Sequence, residues 1–113
     1  MKVYGIVNCS TVKAARAWLD ARKLDYEFVD FRKTPPTPEL LARWCRAFGW
    51  ENVLNRRGTT WRLLPPGVQA QVKDEPSAIA LMVEKPTVIK RPVVEDGRLR
   101  LIGFDEGEYA KTL

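Results

Sequence analysis

The stretch KVYGIVNCSTVKAARAWLDARKLDYEFVDF, residues 2–31, decides the fold. Lys2 to Val7 is a short apolar run of strand type. From Ser10 to about Lys23, Val12, Ala15, Leu19 and Arg22 recur at helical spacing with Trp18 beside them, and Ser10 or Thr11 can cap the start. Leu24 to Phe31 then alternates apolar and polar residues, as a half-buried strand does. Strand, helix and strand in thirty residues make a crossover unit, which places its two strands parallel.

Downstream, Thr34-Pro-Pro-Thr-Pro38 breaks the pattern, with Thr37 as an N-cap and Pro38 in the first helical position. The helix that follows reaches about Phe48 and is expected to bury Leu40, Leu41, Trp44 and Phe48. Residues 51–74 read as short helices and turns around Pro65-Pro-Gly67. Glu75 to about Glu84 is a further helix, with Ile79, Leu81, Met82 and Val83 expected inside. Thr87–Lys90 and Val93-Val94 read as strand on either side of Arg91-Pro92. Asp96-Gly97 is a hairpin turn leading to a strand over Arg98–Ile102. A short helix over Asp105–Leu113 closes the chain.

The expected fold is therefore α/β and thioredoxin-like, with a mixed sheet flanked by helices. It forms one domain over residues 1–113, with a helical insertion at about 37–84.

Composition narrows the function. The chain has 113 residues, 45% hydrophobic and 29% charged, as a soluble globular domain has. No apolar run approaches the roughly 18 residues that span a bilayer, and the N-terminus lacks a secretory apolar core. A cytoplasmic protein without membrane association is expected. With no histidine and two cysteines, neither a metal centre nor a structural disulfide is expected. The net charge of +5 comes without a long basic block or a stacking-aromatic array, so nucleic acid is not the expected partner. A small anion is a better use of clustered arginines.

Cys9 stands where the first strand ends and the helix begins. Unpaired N–H groups and the helix dipole favour a thiolate there, although cysteine is also a common buried residue. Ser10 and Thr11 can add anion donors or simply cap the helix, and Lys13 is either an anion ligand or a solvated residue. Arg91 suits an oxyanion or a thiolate, or else a surface ion pair. Pro92, inside an apolar run, cannot donate to a ladder; a cis bond is one reason for its presence. Arg56 and Arg57, before Gly58, mark an anion-binding loop or an ordinary basic turn. Cys45, beside the buried stripe of its helix, reads as a packed thiol.

The segments Tyr4-Gly-Ile-Val-Asn-Cys-Ser-Thr-Val-Lys13, Leu54-Asn-Arg-Arg-Gly-Thr-Thr-Trp61 and Pro86-Thr-Val-Ile-Lys-Arg-Pro-Val-Val94 resemble the arsenate reductase-related family, and most of all its YffB-like branch. Ser77-Ala-Ile-Ala-Leu-Met82 and Gly103-Phe104 extend the likeness over nearly the whole chain. The resemblance implies a thioredoxin-like fold, Cys9 as nucleophile, Pro92 as a facing cis-proline, and Arg91 beside the thiol. Arg56 or Arg57 then matches a second anion-binding arginine.

It further implies no bound cofactor and glutathione as co-substrate, with a small oxidised or oxyanion substrate and, in the arsenate reductases, glutaredoxin as electron donor. The expected activity is a glutathione-dependent thiol oxidoreductase with one nucleophilic cysteine, acting as a monomer. Arsenate reduction is the first alternative. Those reductases use another arginine after the hairpin, where this chain has Gly103-Phe104, while Arg98 and Arg100 precede it. A non-catalytic regulator that binds RNA polymerase, as in the Spx branch, is the second; Val12 stands where a redox partner of Cys9 would be.

Overall fold

The computed structural model describes residues 1–113. They form two compact units: Met1–Thr34 together with Arg91–Leu113, and Pro35–Lys90.

In the first unit, β1 (Lys2–Gly5), β2 (Glu27–Asp30), β3 (Val93–Asp96) and β4 (Leu99–Ile102) form one sheet in the order β2-β1-β3-β4. β1 pairs parallel with β2 and antiparallel with β3, and β3 pairs antiparallel with β4. The register sets Val3 opposite both Phe28 and Val94, and Val94 opposite Leu101. That apolar row packs with Ala15, Trp18 and Leu19 of α1 (Ser10–Ala21) and with Tyr109 of α7 (Glu106–Thr112). Alternation along each strand puts these side chains on one face, so one face of the sheet receives both helices. Tyr109 ties the layer together: its hydroxyl donates to the Gly103 carbonyl at 2.7 Å, and its ring meets Trp18 edge-on at 5.6 Å.

The opposite row carries polar chemistry. Tyr4 donates its hydroxyl to the buried Glu95 carboxylate at 3.2 Å, and Arg100 Nε meets the other carboxylate oxygen at 2.8 Å. A buried carboxylate needs such partners, because leaving it unpaired carries the full desolvation penalty.

The second unit holds α2 (Pro38–Phe48), α3 (Trp50–Val53), α4 (Thr59–Arg62), α5 (Pro66–Ala70) and α6 (Glu75–Glu84). Thr37 caps α2 as expected, its hydroxyl oxygen accepting from the Leu40 N–H at 3.1 Å. Gly49, at φ +86°, ends that helix in a conformation that side chains resist. Asp74 and Ser77 form a capping box at the start of α6. Leu41, Trp44 and Cys45 of α2, Val53 of α3, and Ala78, Leu81 and Met82 of α6 are buried.

Several sequence expectations need correction. Thr87–Lys90 is not strand: Pro86–Val88 is a 3₁₀ turn, and Ile89 makes an isolated bridge to Leu54. Pro86 and Pro92 remove donors on both sides, so no ladder extends through the segment. That bridge, with Asn55 N–H donating to Val88 O and Lys90 N–H to Val53 O, carries the helical unit to Lys90 rather than to about residue 84. Ser10 and Thr11 do not cap α1. Cys9 is the N-cap residue, its backbone extended, and Ser10 is already helical.

Arg22 lies beyond the end of α1 and is exposed, its guanidinium 3.7 Å from the Trp18 ring centroid. Val83 is 39% exposed and Ile79, like Leu40 and Phe48, is half-buried. In α6 the inward stripe is Ala78, Leu81 and Met82, and a mostly apolar helix hides its phase from periodicity alone.

Candidate functional site

Cys9 owes its position to a close approach. A Cβ on Gly5 would lie 2.8 Å from Val12 Cγ2, so only glycine lets the end of β1 meet the first turn of α1 this tightly. The chain leaves β1 through Ile6, Val7 and Asn8 and presents Cys9, half-buried, as the residue before the helix.

Its thiol is turned toward the N–H groups of Val12 and Thr11, without closing a full capping hydrogen bond, and toward the Arg91 guanidinium. Burial is the largest single influence and pushes the thiol pKa up. The Val12 N–H, the hydrogen bond and charge of Arg91, and the Thr11 N–H together outweigh it. The result lies below the ordinary thiol value, so more of Cys9 is thiolate at neutral pH.

Arg91 precedes a cis peptide bond to Pro92. Pro92 is buried, and its carbonyl accepts from the Gly103 N–H at 2.8 Å. That bond anchors the entry of β3 to the exit of β4, next to the residue facing the thiol. Ser10 and Thr11 occupy the first two helical positions with exposed side chains. Lys13, also exposed, closes the first turn through its N–H to the Cys9 carbonyl at 2.9 Å.

Thus the first unit gathers Cys9, Ser10, Thr11, Lys13, Arg91 and Pro92 at one end of α1 and β3. Arg56 and Arg57 belong to the second unit, exposed on the turn that follows α3.

Two features escaped sequence reading. Glu95 engages Arg100, so that arginine is committed within the sheet. An acid two residues after Val93, on the same face of a hairpin strand, was the available signal. Lys90 shares a cavity with Arg56 and Arg57, through the Leu54–Ile89 bridge, which no local pattern announces. Cys45, by contrast, is the packed thiol that its place beside the buried stripe of α2 predicts: it is 4% exposed, and burial with the negative charge of Glu75 pushes its thiol up to about 11. Such a thiol stays protonated and unreactive at neutral pH.

This frame defines the class: a thioredoxin-like α/β protein with one cysteine at the start of its first helix, facing an arginine that precedes a cis-proline. The chain belongs to the ArsC family, whose model matches residues 4–112. Within it the chain is a YffB-like member. It is similar to the solved YffB protein at 46% identity and a TM-score of 0.94, covering 99% of this chain and 97% of that one.

It is also similar to an arsenate reductase (ArsC) related protein from Brucella melitensis, at 42% identity and a TM-score of 0.77, covering 97% and 91%. The regulatory protein MgsR of Bacillus subtilis is 27% identical over 96% of this chain and 86% of that protein. No helix is long and apolar enough to cross a membrane.

Proposed function

We propose that the protein is a glutathione-dependent thiol oxidoreductase in which Cys9 is the sole nucleophile. The observation that carries this reading is the Cys9 thiol held against Arg91 and two helix N–H groups, with its pKa lowered despite burial. In the first step the Cys9 thiolate attacks the glutathionyl sulfur of a mixed disulfide. A new S–S bond forms to Cys9, the old one breaks, and the released thiolate takes a proton from water. A second glutathione, as thiolate, then attacks the glutathionyl sulfur on Cys9. Oxidised glutathione leaves and the Cys9 thiolate is restored.

The mixed disulfide and one free glutathione become the substrate thiol and oxidised glutathione, one thiol consumed and one released, so electrons balance without another cofactor. Arg91 stabilises the thiolate as attacking and leaving group, and a thiol pKa near ambient pH serves both roles. Cys45 is not the resolving group, because its thiol is buried and protonated.

Arsenate reduction by the same thiol is the second reading, supported by the family and by the arsenate reductase-related neighbour. It lacks an assigned third arginine, since Arg100 is held by Glu95.

The test runs a glutathione mixed disulfide and arsenate in parallel, with wild type and Cys9→Ser. Disulfide turnover that vanishes in Cys9→Ser is expected. Turnover of arsenate alone would move the reading to arsenate reduction. Inactivity toward both would leave the regulatory role, as in MgsR, as the working model.

A further inference from the structure

A buried hydroxyl needs a partner, and that of Tyr109 in α7 donates to a main-chain oxygen, the Gly103 carbonyl, at 2.7 Å. Burial and the negative charge of Glu108 push its pKa up, so it remains a donor at physiological pH. The ring is fixed as well: Trp18 meets it edge-on at 5.6 Å and Phe104 at 4.9 Å. Asp105 sets the helix in turn. Its carboxylate accepts from the Glu108 N–H and its carbonyl from the Tyr109 N–H, both at 2.9 Å.

Gly103, buried at φ +75°, carries this fixed point onward. Its carbonyl accepts from Tyr109, and its N–H donates to the Pro92 carbonyl at 2.8 Å. The ladder of β3 begins only at Val93, opposite Tyr4 and Ile102, and Pro92 has no N–H to extend it. The Gly103 bond thus carries the hold of the sheet one residue past its ladder. The residue before Pro92 is Arg91, whose hydrogen bond and charge act on the Cys9 thiol beside the Val12 and Thr11 N–H groups. A long side chain keeps its aim only where its backbone is held. All of these residues belong to the first unit.

We propose that Tyr109 is a positioning residue for Cys9: through Gly103 and Pro92, its hydroxyl holds the Arg91 backbone where the guanidinium meets the sulfur. Without that hydroxyl the buried Gly103 carbonyl loses its donor, and the chain shifts to recover one. The Gly103 N–H moves with it, which loosens the bond to Pro92. The inference concerns the thiol and its arginine, and it holds whatever substrate Cys9 takes.

The experiment follows alkylation of Cys9 by iodoacetamide against pH in wild type, Tyr109→Phe, Arg91→Ala and the double variant. Cys45, buried and protonated, does not compete. Tyr109→Phe keeps the ring and removes only the donor. Its profile should move to higher pH, as that of Arg91→Ala does but less far, with reaction at pH 7 slowed about twofold. In the Arg91→Ala background the same change should move the profile no further, because a residue acting through Arg91 has nothing left to position. Leu99→Ala trims the same core at the hairpin end of β4. It should lower the urea midpoint and leave the profile in place, which separates loss of the bond from general loosening.

The proposal is overturned by a Tyr109→Phe profile that matches wild type, by an equal shift in the Arg91→Ala background, or by the same shift in Leu99→Ala. Its failure is separable from that of the catalytic reading. The expected shifts in a wild type that turns over no glutathione would keep the positioning role and remove the oxidoreductase cycle. Turnover with an unshifted Tyr109→Phe profile would remove the positioning role alone.

Discussion

Cys9 stands at the entrance of α1, half-buried, with helix N–H groups and Arg91 around its sulfur. Cys45 lies near the end of α2, 4% exposed, with the negative charge of Glu75 acting on it from α6. Burial raises the pKa of both thiols, so burial is not what separates them. What separates them is what accompanies it. Donors and a cation reverse the effect at Cys9, whereas a carboxylate reinforces it at Cys45. A helix offers a thiol N–H groups at its start and none in its interior, where they already serve carbonyls. The same residue type is thus an ionisable group in one unit and a small apolar filler in the other.

The sharpest way to break this contrast is to replace each cysteine by serine. Cys9→Ser should reduce glutathione-dependent turnover by at least about a thousandfold, since a hydroxyl at neutral pH is a poor nucleophile. Cys45→Ser should leave turnover essentially unchanged. Comparable losses in both variants would mean that Cys45 takes part in the redox cycle.

Stability should show the reverse order. Cys45→Ser buries a hydroxyl in an apolar site and should cost about 1–3 kcal/mol. Cys9→Ser, at a half-exposed cap position, should stay within about 0.5 kcal/mol of wild type. Urea denaturation of the two variants measures both. An unaffected Cys45→Ser midpoint would show that the α2–α6 contact tolerates a polar atom.

The origin of the Cys9 environment is tested by Arg91→Ala. Loss of the guanidinium should shift the pH profile of Cys9 alkylation to higher pH and slow the reaction at pH 7 by about three- to tenfold. Arg91→Lys should lie between, because an ammonium keeps the charge but not the planar fork. An unshifted profile in Arg91→Ala would assign the lowered pKa to the Val12 and Thr11 N–H groups alone.

Residues 2–31 were legible because strand, helix and strand each follow a clear period there, and Thr37-Pro38 because capping is local chemistry. Cys9 was legible as a position at a strand–helix junction. The identity of its cap was not, because Ser10 and Thr11 are better capping residues than Cys9, and the helix nonetheless begins at Ser10. Thr87–Lys90 misled because β-branched residues suggest strand, whereas pairing depends on a remote partner and Leu54 supplies a single bridge. Lys90 and Glu95 were missed for the same reason. Their roles come from residues 33 or more positions away in the chain, at Arg57 and Tyr4.

The smallest effect concerns pH. Cys45 is protonated in the folded protein up to about pH 11, whereas in the unfolded chain it ionises near its ordinary value of 9.0. The folded state therefore holds its proton more tightly. The resulting stability is fully present below pH 9 and is lost as pH rises from there toward 11. Cys9 has the opposite sign, its lowered pKa favouring the folded state above pH 9 and ceasing to do so as pH falls. Between pH 9 and 11 the wild type should lose more thermal stability than Cys45→Ala, while Cys9→Ala should lose at least as much as wild type. Melting temperatures of the three proteins across that interval give the comparison. If Cys45→Ala fell as steeply as wild type, alkaline destabilisation would belong to groups other than the buried thiol, and the contrast between the two cysteines would rest on reactivity alone.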